Sequence, residues 1–208
     1  MQPRGTLRKQ LTRYLRTRRM VRRPRTARPT PGQGQLRNAV NISARPAEAA
    51  DRAVPGHWEG DLLLGRGRSA IATLVERTTR LTILVGLPNG HASEPVLDAL
   101  AERIVTLPDQ LVRSLTWDQG KEMAQHAQFT ISTGVQIYVC DPRSPWQRGT
   151  NENTNGLLRQ YFPKGTDFAA ITQDELDAVA AELNGRPRQT LHWLSPSEKF
   201  AEAVAMTH

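Results

Sequence analysis

The 208-residue sequence predicts an α/β fold: a mixed five-stranded sheet flanked by helices, preceded by a basic helical arm and a linker. Three observations carry this reading. β-rich runs and helical stretches follow one another in the order βββαβαβ before the chain ends in helices, the pattern of a sheet covered by helices. Two capping boxes, Thr172 with Glu175 and Ser195 with Glu198, mark the starts of two terminal helices, the second with Pro196 at its first position. Charge divides the chain: residues 1–47 hold thirteen of the 28 Lys and Arg and no acid, leaving fifteen bases against 20 acids for residues 48–208. A +13 arm therefore precedes a body of −5.

In the arm, Leu7, Leu11, Tyr14, Leu15 and Val21 recur at helical intervals among Arg and Lys, giving a basic amphipathic helix. It ends before RRPRTARPTPGQGQLR, where Pro24, Pro29, Pro31, Gly32 and Gly34 make a linker. Residues 1–47 thus form arm and linker, and residues 48–208 the core with its C-terminal helices. HWEGDLLLG opens the body as an apolar strand around Asp61, and SAIATLVERTTRLTILVGLPNG supplies two further strands joined around residues 78–80. These three form a meander. Ser93 is placed to cap a helix that runs to Val105, and VRSLTWDQG returns as a strand ending at Asp118. Residues 121–132 read as helix and VQIYVCD as a short strand.

Composition excludes several classes. Cys140 is the only cysteine, so neither a disulfide framework nor a CxxC zinc site can form, and a reducing compartment fits. No apolar run approaches the ~20 residues that span a bilayer. His57, His91 and His126 lack close metal-ligand spacing. Trp58, Trp117 and Trp193 read as packing residues, Cys140 as a small core residue, and Trp146 equally as packing or as a base stacker. An acid-free basic arm points instead to nucleic acid, because arginines neutralise phosphates and release counterions.

Three carboxylates stand where a core-only argument would not put them. Asp61 lies inside an apolar strand, Asp118 at a strand's end before Gln119 and Gly120, and Glu152 at the start of GTNENTNGLLRQYFPKGT. Carboxylates gathered away from water repel and take up protons unless a cation compensates them. Mg²⁺ is the natural partner, and two such ions about 4 Å apart serve phosphoryl transfer on DNA or RNA. Glu59 lies on the same strand side as Asp61, but Asp61 sits deeper in the apolar run. Asn and Thr are poor interior helix formers, so the Asn-rich start at residue 149 needs a reason beyond helix stability. At ~100° per residue, Asn155 and Arg159 fall within roughly 60° of Glu152, while Leu157, Leu158, Tyr161 and Phe162 occupy the other side. One side packs and the other offers a carboxylate, an amide and a guanidinium to a phosphodiester. Arg143 and Arg148, flanking Trp146, extend that surface, and Arg13, Arg18, Arg19, Arg22 and Arg23 supply DNA contacts from the arm. Arg186 and Arg188 face DNA or solvent; the sequence leaves both open.

HWEGDLLLG, IATLVERTTR, PNGH, TWDQGKEMA, CDPRSPWQRGTNENTNGLLRQYFPKGT and LNGRPRQTL closely resemble the bacterial DDE transposases of the insertion sequence thirty family, whose core is similar to retroviral integrases. The 34 positions from Asp118 to Glu152 match the separation of that family's second and third carboxylates. The resemblance implies a ribonuclease-H-like fold and Asp61, Asp118 and Glu152 as catalytic ligands of two Mg²⁺ or Mn²⁺ ions. It also implies cleavage at transposon ends with strand transfer into target DNA, an oligomer, and a place in the bacterial cytoplasm with the nucleoid. The family's N-terminal helix-turn-helix has no counterpart in these residues, which implies an N-terminally truncated member. The alternative expectation is a catalytically idle DNA-binding or dimerising remnant.

Overall fold

The computed structural model describes residue 36 and residues 39–88, 90–142 and 144–206, all within the unit Gly34–His208. The amphipathic arm and most of the linker lie outside the described residues. In chain order the elements are β1 (Val40–Asn41), α1 (Ala47–Asp51), β2 (His57–Leu64), β3 (Ala70–Glu76), β4 (Thr82–Leu87), α2 (Ser93–Ile104), β5 (Ser114–Trp117), α3 (His126–Thr133), β6 (Gln136–Val139), α4 (Gly149–Tyr161), α5 (Gln173–Asn184) and α6 (Pro196–Ala205). One sheet has the order β1-β6-β5-β2-β3-β4. Among the described residues it has six strands where sequence patterning predicts five. The extra strand is the two-residue β1, too short to show periodicity and held by parallel pairing of Val40 and Asn41 with Tyr138 and Val139.

β2, β3 and β4 form the expected antiparallel meander, and β5 joins β2 in parallel. The alternation of side chains along β3 explains the layers. Ala70, Ala72 and Leu74 pack with Val96, Leu97, Leu100 and Ile104 of α2, and with Trp58, Leu115, Trp117 and Ile137. Ile71, on the opposite face, packs with Leu158 of α4 and Leu176, Ala180 and Leu183 of α5. Helices therefore cover both faces. Both capping boxes form, with Thr172 and Ser195 accepting from the backbone N–H of Glu175 and Glu198. Ser93 does not cap α2; its hydroxyl accepts the Gln125 N–H at 2.9 Å instead. Residues 121–132 divide into a 3₁₀ turn, Lys121–Met123, and α3. Trp193, expected to pack, is 69% exposed on a left-handed backbone (φ 69°).

The contact between β2 and β5 is unusually close at one point. A Cβ on Gly60 would stand 1.9 Å from the buried Trp117 ring, so only glycine lets that ring lie against β2 one residue before Asp61. Gly60→Ala is expected to destabilise the fold by about 1–3 kcal/mol through overpacking. A chemical-denaturation midpoint unchanged from the parent would refute this account of the contact.

Candidate active site

Register places the first two carboxylates. Glu59 pairs with Thr116 across the parallel β2–β5 contact, and Asp61 and Asp118 each follow two residues later. Two-residue alternation returns both to the same face of the sheet, on neighbouring strands. The guanidinium of Arg148, just ahead of α4, lies between them. Its Nη1 is 3.2 Å from Asp61 Oδ1 and its Nη2 is 3.2 Å from Asp118 Oδ2, while Nη1 also donates to the Gly60 carbonyl at 2.9 Å. The other Asp61 oxygen accepts from Asn155 Nδ2 at 2.9 Å, and Oδ1 accepts the Leu62 N–H. Burial pushes the Asp61 carboxyl above its ordinary value, against the pull of Arg148. Burial pulls the Arg148 guanidinium down, but Asp61 and Asp118 outweigh it and leave it raised.

Glu152 stands four residues after Arg148 and three before Asn155, on the helix side that meets Asp61. Its side chain is exposed and makes no hydrogen bond or ion pair with the described residues. The structure therefore brings Asp61 and Asp118 together on Arg148, and Glu152 stands exposed on the adjoining helix. Among the described residues no group of three His, Cys, Asp or Glu is placed to hold a metal ion. Arg148 compensates the charge of both aspartates.

What holds α4 against the sheet is a buried polar network. Asn151 donates its backbone N–H to Glu59 Oε2 at 3.1 Å, and its side-chain amide donates to the carbonyls of Glu59 at 2.9 Å and Thr73 at 3.2 Å. Thr73 Oγ1 donates back to Asn151 Oδ1 at 2.8 Å. Glu59, on the same side of β2 as Asp61, is ion-paired with Arg77 and fully enclosed, so its carboxylate anchors the helix start. Thr150, Asn151 and Thr154 are all buried. The Asn- and Thr-rich opening serves this network, a stronger reason for those residues than helix propensity.

The other predicted contacts differ in outcome. Trp146 is 73% exposed beside Arg148. Arg159 donates to the carbonyls of Leu64 at 3.1 Å and Phe162 at 3.4 Å, which ties it to the end of β2. Arg148 is engaged with carboxylates and not free on the surface. Arg13, Arg18, Arg19, Arg22, Arg23 and Arg143 lie outside the described residues. Glu122 accepts from Trp117 Nε1 at 3.2 Å and is hydrogen-bonded to Asp118, and burial, then that neighbour, raises its carboxyl. Its four-residue spacing from Asp118 was the available signal. Cys140 is buried, and burial pushes its thiol up to about 11, which leaves no thiolate nucleophile at neutral pH.

An integrase core domain is matched over residues 51–145. Over 204 residues the chain is 52% identical to the transposase for insertion sequence element IS1086 of Cupriavidus metallidurans, covering 98% of this chain and 60% of that protein. Over 170 residues it is 55% identical to transposase InsI for IS30A of Escherichia coli K12, covering 82% of this chain and 44% of that protein. The chain thus spans about half the length of these curated relatives. In three dimensions it is similar to the catalytic core of BIV integrase, with TM-score 0.54 at 18% identity over 73% of this chain and 97% of that one. A chain of the simian T-cell lymphotropic virus intasome gives TM-score 0.56 at 18% identity, covering 70% of this chain and 54% of that one. At that identity the likeness establishes the ribonuclease-H-like fold alone.

Two predictions follow from the carboxylate pair. Asp61 keeps a proton in the folded chain at pH values where the unfolded chain has released it. Its contribution to stability is complete below the ordinary aspartate value and is lost as pH rises through the folded one. In EDTA, Asp61→Asn should therefore gain stability relative to the parent as pH rises through that window; a constant difference in denaturation free energy would contradict this. Arg148→Ala leaves two neighbouring carboxylates uncompensated and should cost the metal-free protein about 1–3 kcal/mol. Thermal melting should show Mg²⁺ or Mn²⁺ stabilising this variant more than the parent.

Proposed function

From a chain that carries an integrase core domain and is related to insertion-sequence transposases, we propose a DNA transposase that cuts at transposon ends and joins them to target DNA. The observation that carries this reading is the convergence of Asp61 and Asp118, from adjacent parallel strands, on one cationic position. Carboxylate oxygens are hard donors, and two of them aimed at one cation suit Mg²⁺ or Mn²⁺. Asp61 and Asp118 would hold the metal, with Glu152 joining them from the same side of α4; two ions are proposed. When bound, such ions activate an attacking oxygen and stabilise a leaving one.

The chain's own residues set the geometry. Asn155 and the Leu62 N–H fix the Asp61 carboxylate, and the Asn151–Glu59–Thr73 network fixes α4, so Glu152 rides on a helix whose start cannot shift without breaking buried hydrogen bonds. Water attacks a phosphodiester and releases a DNA 3′-hydroxyl; that hydroxyl attacks a second phosphodiester, forming one P–O bond as another breaks. No covalent bond to the protein is required. Trp146 offers an exposed ring on which a base can stack. DNA ends and target are the proposed substrates, a homo-oligomer the proposed assembly, and the bacterial cytoplasm the proposed location. No helix among the described residues is long and apolar enough to cross a membrane.

A second reading, a catalytically idle DNA-binding chain, draws on the separation of Glu152 from the two aspartates. Single Ala substitutions at Asp61, Asp118 and Glu152 decide between them. In the active reading each abolishes Mg²⁺-dependent nicking and joining of transposon-end DNA while circular dichroism stays native. Turnover surviving in all three variants would exclude the DDE assignment, and a parent that binds DNA without turnover would establish the idle one.

A further inference from the structure

We propose that Arg52 and Arg80 form a second phosphate-binding site, at the start of α4, that holds a backbone phosphate of nucleic acid outside the carboxylate pair. The proposal rests on the nucleic-acid reading above. Both guanidinium groups reach one atom: Arg80 Nη1 donates to Thr150 Oγ1 at 2.6 Å, and Arg52 Nη2 to the same oxygen at 3.5 Å. Thr150 stands two residues before Glu152 on α4, which puts the two side chains on nearly opposite sides of the helix, so a phosphate held there is gripped apart from the carboxylate pair.

The pair sits on a built scaffold. Arg80 ends the turn between β3 and β4, and that turn is fixed by the buried Glu76 carboxylate. Glu76 accepts from the backbone N–H of Thr78 at 2.9 Å and from the Thr79 hydroxyl at 2.8 Å, while its other oxygen accepts the Gly56 N–H at 3.1 Å. The Thr78 hydroxyl then donates to the Arg52 carbonyl at 3.1 Å, tying the two arginine-bearing segments together. Both arginines hold left-handed backbones, φ 55° at Arg52 and 65° at Arg80, uncommon for residues with a side chain. At Arg52 this conformation ends α1 and at Arg80 it closes the β3–β4 turn, so both side chains start from fixed backbone positions.

Charge is the remaining argument. Neither Arg52, Arg80 nor Arg188 has a carboxylate within 4 Å among the described residues, whereas Arg77, Arg103, Arg113 and Arg186 each have one and Arg148 has two. Desolvation first, then Arg52, lowers the Arg80 guanidinium to about 10, with Arg188 and Arg77 acting in the same direction. Glu59 opposes this but is already paired with Arg77. A half-buried Arg80 beside the like charge of Arg52, with no direct anion, is unfavourable in isolation, and a phosphate supplies the missing charge with geometry that suits a guanidinium fork. Phosphate contacts of this kind fix register without reading sequence.

The test is duplex DNA of several unrelated sequences, titrated into the parent, Arg52→Gln and Arg80→Gln across a range of salt. Each variant should weaken binding several-fold and equally for every sequence, and lower the slope of log affinity against log salt by about one. Circular dichroism checks folding, and Arg52→Gln, altered at an exposed side chain, stands alone if Arg80→Gln does not fold. An unchanged slope in Arg52→Gln, with a parent that binds DNA, overturns the site while leaving the transposase reading intact. A parent that binds no duplex overturns both. Inorganic phosphate provides the second arm: if it raises the melting temperature of the parent but not of Arg52→Gln while the DNA slopes agree, the site belongs to free phosphate and the nucleic-acid assignment fails.

Discussion

The parallel pairing of β2 with β5 is the constraint on which the site depends. It sets Asp61 beside Asp118 on one face of the sheet, where burial raises the Asp61 carboxyl and the charge of Asp118 acts in the same direction. Two such groups cannot stay ionised side by side without a cation. In this chain the cation is Arg148, and its position between them is the consequence of that electrostatic demand. The close approach of Trp117 to Gly60 keeps the two strands in register at the point where the carboxylates begin. Packing on one face of the sheet thereby governs chemistry on the other.

The helix α4 connects to the same strand through groups whose loss would leave buried polar atoms without partners. Asn151 uses its backbone N–H and its side-chain amide and carbonyl on β2 and β3, an arrangement neither a longer nor an apolar side chain could reproduce. Leu158 contributes apolar burial to the same helix, packing with Ile71 and Leu176. Polar groups fix the helix start and apolar groups its later turns. That division explains why residues 149–155 look unsuited to a helix while 157–162 look ordinary.

Where the sequence was legible, one local pattern dominated. The apolar runs of β2, β3 and β4 and the two capping boxes depend on neighbours within a few residues, and all formed as expected. Where it was not legible, a distant partner decided. β1 is a strand because of Tyr138 and Val139, not because of its own two residues. The Ser93 hydroxyl meets the local criterion for a cap yet is taken by the Gln125 N–H from thirty-two residues away. Arg148 reads as a surface base beside an aromatic residue; only the folded register reveals two aspartates, 30 and 87 positions earlier, converging on it. Glu122 meets Asp118 because residues 121–123 turn as a 3₁₀ segment, a local geometry that apolar periodicity does not announce.

Arg148 and a divalent ion make different demands on the same pair of aspartates. A guanidinium carries one charge and directs its N–H donors along fixed lines, here toward two carboxylates and the Gly60 carbonyl. A metal ion carries two charges and accepts oxygens from several directions, including those of a phosphate or water. Arg148 can satisfy Asp61 and Asp118, but it has no means of drawing in a third carboxylate that already enjoys full hydration. Glu152 stands exposed four residues beyond Arg148.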